Sequence, residues 1–178
     1  MRIIAGSRKG ARIFAPAGPG TRPTGDRARE AAFNLIGPVD GARVLDLFAG
    51  SGAMGLEALS RGAASVTFVE RDRAAAATIE RNLDKLRLRG AVLRDDAIRV
   101  LAADTAAGTR YDLVLIDPPY RMLAGVLPRL SAYLPSVVER GGLVVVESDT
   151  REEPQLPLAK RTSRRYGAAR ITVFEAQE

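Results

Sequence analysis

The sequence predicts an α/β fold: a mostly parallel seven-stranded sheet with helices on both faces, preceded by an N-terminal β-hairpin extension. Three observations predict it. From Arg43 onward, short apolar runs alternate with helical stretches. The runs at 44–48, 111–116 and 142–147 are almost continuously apolar, as strands covered on both faces are. Asp46, Glu70, Asp96 and Asp117 all fall at or near the carboxyl ends of strands, the edge where sheets of this class bind ligands.

In order, residues 2–16 hold β-branched and aromatic residues around Ser7-Arg8-Lys9-Gly10 and read as a hairpin with a basic tip. A Gly/Pro-rich stretch covers 16–23. Residues 24–36 read as a helix with Ala28, Ala31, Ala32, Leu35 and Ile36 on its apolar face, ended by Gly37-Pro38. Strand 44–48 leads into helix 51–61, which Gly62 stops. Strand 65–69 ends in Glu70, and helix 73–88 stops at Gly90. A short strand at 91–94 ends at Asp95-Asp96, and the apolar strand 111–116 runs into Asp117. Residues 123–138 read as a helix that Pro128 and Pro135 could break. Strand 142–147 follows, and 158–174 reads as two antiparallel strands joined near Gly167. Residues 1–22 are expected to form a hairpin and basic arm, and 23–178 the main domain.

The chain has no Cys and no His. Disulfides, Cys/His zinc sites, a Ser–His–Asp triad and a Cys nucleophile are therefore excluded, and no metal is expected. Chemistry must run on carboxylates, amides, hydroxyls, backbone groups or a bound cofactor. No apolar run is long enough for a membrane span or a secretory leader, so a cytoplasmic protein is expected. The net charge is +6, distributed as +5 over residues 1–43, −1 over 44–150, +4 over 151–170 and −2 over the last eight. Positive charge at both ends of a near-neutral middle suits a phosphate-rich partner, or simply solvated arginines.

Gly50, Gly52 and Gly55 form a G-x-G-x-x-G run between the first strand and its helix, with Glu70 twenty residues after Gly50. Such glycines permit a tight turn and close approach to a ligand, and the acid can accept from two ribose hydroxyls. Asp46, four residues before Gly50, would repel a pyrophosphate and favour the ammonium and sulfonium of S-adenosylmethionine. The plainer alternatives are a strand-to-helix turn and a carboxylate serving the helix N-terminus.

The second motif is Asp117-Pro118-Pro119-Tyr120. An exocyclic amino nitrogen becomes a nucleophile when its hydrogens find acceptors. The Asp117 carboxylate and Pro118 carbonyl could supply them, and Asp117 could take the released proton. Tyr120 offers a face on which an unstacked base can lie. The alternative is a proline turn capping a strand.

Together the two motifs make the chain resemble the bacterial small-subunit (16S) ribosomal RNA guanine-N2 methyltransferases. The resemblance covers nearly the whole length. It rests on the opening Met1-Arg-Ile-Ile-Ala-Gly6, residues 21–30 with Phe33-Asn34, residues 46–63 (DLFAGSGAMGLEALSRGA), residues 68–72, the Asp117 tetrapeptide, Gly141-Gly142 with residues 144–147, and Tyr166-Gly167. Gly25 departs from it, standing where that family often has Thr.

The resemblance implies a Rossmann-like class I methyltransferase fold. It implies S-adenosylmethionine as methyl donor, with S-adenosylhomocysteine as product, and 16S rRNA in a partly assembled small subunit as partner. Asp46, Gly50 and Gly52 would hold the methionine part of the cofactor, with Phe48, Ser51 and Arg71 as further contacts. Glu70 would bind the ribose, and Asp96 and Ala97 the adenine, with Asp95 as an alternative acid. Asp117, Pro118, Pro119 and Tyr120 would form the catalytic pocket.

Arg8, Lys9, Arg12, Arg22, Arg27 and Arg29 are candidate RNA contacts, the helix arginines alternatively pairing with Asp26 and Glu30. Arg161, Arg164 and Arg165 are weaker candidates. Open alternatives are a DNA adenine-N6 or cytosine-N4 methyltransferase, a non-catalytic RNA-binding assembly factor of the same fold, and, opposed by Asp46, a nicotinamide dehydrogenase.

Overall fold

The structure is a computed structural model and describes residues 1–15 and 25–177. Its elements are α1 (Asp26–Ile36), β1 (Arg43–Leu47), α2 (Ala53–Ser60), β2 (Ser65–Val69), α3 (Arg73–Leu86), β3 (Ala91–Leu93), α4 (Ala97–Ala107), β4 (Tyr111–Ile116), α5 (Tyr120–Val137), β5 (Val138–Asp149), β6 (Ala159–Tyr166) and β7 (Ala169–Glu175). The strands form one sheet in the order β3-β2-β1-β4-β5-β7-β6.

Side-chain alternation divides the core. Val44, Val66, Phe68, Leu113, Leu115, Val145, Ile171 and Val173 pack under α1, α2 and α3. Leu45, Leu47, Val114, Ile116, Val144 and Val146 pack under α4 and α5. The near-continuous apolar runs follow from this, because strands with two covered faces have no solvent side. Each fully buried Val, Leu or Ile contributes roughly 1.5–3 kcal/mol of transfer free energy.

The mostly parallel sheet expected from the sequence is instead mixed. β1 pairs in parallel with β2 and β4, β2 with β3, and β4 with β5. β7 lies antiparallel to both β5 and β6. The cause is local. β7 leaves β6 through Gly167-Ala168, a connection so short that the chain must reverse, and β7 then inserts beside β5.

The expected N-terminal hairpin is present only as a single bridge. Residues 1–13 fold back on themselves with a short 3₁₀ turn at Gly6–Arg8 and one isolated antiparallel bridge, Arg2 to Arg12. Ile3 N donates to Ala11 O at 2.9 Å and Ile13 N to Met1 O at 3.2 Å across this bridge, but the pairing does not extend into a ladder. The backbone N–H groups of Ile4 and Ala5 donate to Glu57 Oε2 and Oε1 at 2.8 and 3.0 Å. Ile3 and Ile13 are buried in the α1–α3 side of the core, so the arm is docked on the sheet domain. The expected boundary at residues 22 and 23 lies outside the described residues.

One helix was not expected. α4 starts at Asp96, whose carboxylate accepts from Ile98 N and Arg99 N, and ends at Gly108 in the left-handed conformation. Conversely, α5 runs through Pro128 and Pro135 without ending at either. Among the described residues, no helix is long and apolar enough to cross a membrane.

Candidate active site

The carboxyl ends of β1, β2 and β4 meet at one edge of the sheet. Asp46 lies within β1, in register with Phe68 of β2 and Leu115 of β4. Leu47 is in register with Val69 and Ile116, so Glu70 and Asp117 follow directly on either side of the loop that leaves β1.

Phe48 and Gly50 take positive φ values of 59° and 56°, turning the chain sharply out of β1. A side chain on Gly50 would meet no protein atom within 4 Å, so the space beside it is open to a ligand. Gly55 has the opposite reason to be glycine. A Cβ there would sit 2.3 Å from the Phe68 ring and 2.9 Å from Asp46 Oδ2, so it lets α2 lie close on the sheet. Ser51 is almost fully buried beside the loop.

Asp46 is 2% exposed, and its Oδ2 accepts from Gly55 N at 2.9 Å. Burial pushes its carboxyl well above the usual aspartate range. The negative charges of Asp117 and Glu70 push in the same direction, and the Gly55 N–H opposes them. The three acids therefore act on one another across the loop. Asp46 thus serves the first turn of α2, which is the plainer reading of its position.

Glu70 closes the glycine loop: its Oε2 accepts from Gly50 N and its Oε1 from Asp72 N, both at 2.9 Å. Arg71 is exposed beside it. Asp96 is the N-cap of α4, and Ala97 is buried as that helix's first residue. Asp95 accepts from Asp96 N at 2.7 Å. Pro118 is buried, and Pro119 is exposed and caps α5, which Tyr120 begins. Tyr120 Oη donates to Glu147 Oε1 at 3.1 Å, an acceptor near the end of β5.

The basic candidates divide. Lys9, Arg12 and Arg27 are exposed, as are Arg161, Arg164 and Arg165 on the edge strand β6. Arg8 is half-buried and spent on helix carbonyls, its Nε donating to Leu86 O at 2.6 Å at the end of α3. Arg22 lies outside the described residues.

Arg29 is corrected: it is 0% exposed and cannot reach an RNA surface. Its Nη2 donates to Asp26 Oδ1 at 3.0 Å and to the backbone carbonyl of Arg2, and its Nε lies 3.6 Å from Glu57 Oε2. A guanidinium on the buried face of α1 neutralises the equally buried Glu57, which is why this arginine turns inward.

Two buried polar residues outside both motifs hold this region together. Glu57 binds the arm and Arg61 as well as Arg29. Asn82, 0% exposed on α3, bonds both the arm at Phe14 and the glycine loop at Ser51. Its spacing from Ile79 and Leu86 puts an amide on the helix's apolar face, a sequence signal that could have found it.

The chain is similar to known proteins over most of its length. The family described as "Conserved hypothetical protein 95" matches residues 1–175. The chain is 40% identical to YlbH of Bacillus subtilis, whose name makes it a candidate rRNA methyltransferase, over 98% of both chains. It is 46% identical to the ribosomal RNA small subunit methyltransferase D of Escherichia coli over 68% of this chain and 61% of that one. The solved structure of yhhF from Escherichia coli, titled as a candidate methyltransferase, superposes with a TM-score of 0.83 at 34% identity, over 99% of this chain and 98% of that one. The fold also matches SMU.776, a candidate methyltransferase solved with SAH, at a TM-score of 0.73 and 14% identity over 88% of this chain and 50% of that one. The chain belongs to the family of the small-subunit ribosomal RNA methyltransferase D.

Proposed function

We propose that the chain transfers a methyl group from S-adenosylmethionine to the exocyclic N2 amino group of a guanine in 16S rRNA, in the cytoplasm, on a partly assembled small subunit. The observation that carries this reading is the placement of Asp117-Pro118-Pro119-Tyr120 one strand away from the Gly50 loop, with Asp46 feeling the charge of Asp117 between them.

The loop fits this cofactor better than a dinucleotide. Glu70 accepts from Gly50 N beside the open space, and its charge and that of Asp117 reach buried Asp46, so the edge is acidic where a pyrophosphate would need positive charge. When bound, S-adenosylmethionine supplies an electrophilic methyl group on a cationic sulfur. Asp46, Phe48, Gly50, Ser51 and Gly52 would hold its methionine part. Glu70 would accept from the ribose hydroxyls beside Arg71, and Asp96 and Ala97 would flank the adenine.

The remaining chemistry belongs to this chain's own groups. The Asp117 carboxylate and the Pro118 carbonyl accept the two hydrogens of the amino group. That holds the nitrogen lone pair toward the methyl carbon. Pro119 fixes the turn, and the Tyr120 ring supports the extruded base. Asp117 takes the proton that the nitrogen releases. No covalent enzyme intermediate is needed, which suits a chain without Cys. Lys9, Arg12, Arg22 and Arg27 would contact RNA phosphates, with Arg8 holding the arm that carries Lys9.

The test is incorporation of tritiated methyl groups from S-adenosylmethionine into small-subunit particles and, separately, into duplex DNA. Label in the particles alone supports the reading. Label in DNA alone, or no binding of the cofactor by calorimetry, overturns it.

A further inference from the structure

The Asp117 tetrapeptide explains how an amino group is activated, but an amino group on adenine or cytosine would satisfy it equally. We propose that Glu147 is the residue that selects guanine, by accepting the N1–H that lies beside the N2 amino group. The inference rests on the reading of Asp117 as the residue that holds that amino group.

Glu147 is placed for this by strand register. Ile116 of β4 is paired with Val146 of β5, so Asp117 and Glu147 are the next residues along two parallel neighbouring strands. Such strands lie about 4.8 Å apart. Leu115 and Val145 belong to the same side of the core, and two residues further on the alternation returns to that side at Asp117 and Glu147. The side chain of Glu147 is 9% exposed, so it is not a solvated surface charge. Its Oε1 is oriented by Tyr120 Oη at 3.1 Å, which ties it to the residue assigned to stack the base.

The chemistry discriminates sharply. Guanine carries a hydrogen on N1 immediately next to its exocyclic amino group, so a pair of neighbouring acceptors matches its N1–H and N2–H groups. Adenine N1 and cytosine N3, the ring atoms next to their own amino groups, present lone pairs. A carboxylate facing a lone pair repels it and leaves both acceptors buried without a hydrogen. One residue beside Asp117 thus converts a general amino-directed pocket into a guanine pocket.

The test uses the full-length protein and a small-subunit RNA ligated from synthetic pieces. The position methylated by the wild type carries either guanine or 2,6-diaminopurine, which keeps the 2-amino group but has a lone pair on N1. The readout is the ratio of methyl-transfer efficiencies on the two RNAs, for the wild type, Glu147→Gln and Tyr120→Phe. The wild type is expected to prefer guanine by about a hundredfold or more. In Glu147→Gln the amide can donate to the diaminopurine N1, so the preference should shrink at least about tenfold. Tyr120→Phe should keep most of it. A Glu147→Gln enzyme that still transfers methyl groups with undiminished preference overturns the inference. If Glu147→Gln has no activity on either RNA, Glu147→Asp decides: it must keep the guanine preference, and loss of that preference overturns the inference. A wild type that methylates no guanine overturns the underlying functional reading instead, so the two failures are distinguishable.

Discussion

The side-chain amide of Asn82 donates to the backbone carbonyl of Ser51 at 3.0 Å, pinning the middle of α3 to the glycine loop. The same amide group donates to Phe14 O at 3.0 Å while its oxygen accepts from Phe14 N at 2.7 Å. One buried side chain therefore fixes both the glycine loop and the arm that carries Lys9 and Arg12. Asn82→Ala strands these backbone groups in the interior. It should lower unfolding free energy by about 1–3 kcal/mol. It should also weaken S-adenosylmethionine by roughly fivefold, about 1 kcal/mol, as read by calorimetry.

Asp117 is assigned to the amino group and not to the cofactor. Asp117→Ala should reduce single-turnover methyl transfer by about 10³-fold or more while cofactor affinity stays within about threefold. Removing its charge also relieves Asp46, whose carboxyl Asp117 helps to push upward. Retained turnover would contradict the assignment.

Asp46 makes the cofactor-free protein pH-sensitive. Its carboxyl is raised in the folded state, chiefly by burial, so the folded protein binds more protons than the unfolded one in the range above ordinary aspartate titration. Stability from this group is present at low pH and falls as pH rises toward the raised value. Asp46→Asn removes the dependence and can keep an acceptor for Gly55 N. The variant should therefore gain melting temperature over the wild type at pH 8 relative to pH 4, while losing cofactor affinity. An equal difference at both pH values would contradict the origin given for the shift.

The basic residues separate by burial. Lys9→Ala and Arg12→Ala should each flatten the slope of log affinity against log salt for RNA by about 0.7–0.9, with little change in stability. Arg29→Ala should leave that slope unchanged and cost about 3–5 kcal/mol of stability, because Glu57 would be left buried without its partner.

Much of the site was legible because it depends on short-range rules. The glycines after β1, the acids at strand ends and the proline pair after β4 are local patterns, and parallel pairing brings them to one edge. The misses are residues whose roles are set by distant contacts. Arg29, unlike exposed Arg27, shares the helical face of Ala32, Phe33 and Ile36, but the partner that lets it turn inward, Glu57, lies on α2 far along the chain. The hairpin is reduced to one bridge, and Glu57, more than fifty residues away, takes the N–H groups of Ile4 and Ala5 beyond it. α4 has no counterpart in the sequence reading, which gives Asp96 to the adenine. Its capping position and Gly108 could have marked both ends of that helix. The two strands of the tail were legible from Gly167, but the insertion of β7 between β5 and β6 depends on the whole sheet.

The most direct measurement is mass spectrometry of nuclease-digested 16S RNA, taken from small-subunit particles before and after incubation with the protein and S-adenosylmethionine. One fragment should gain a single methyl group, and its nucleoside should be N2-methylguanosine. A methyl group on any other atom, or unchanged RNA in the presence of bound cofactor, would contradict guanine-N2 transfer.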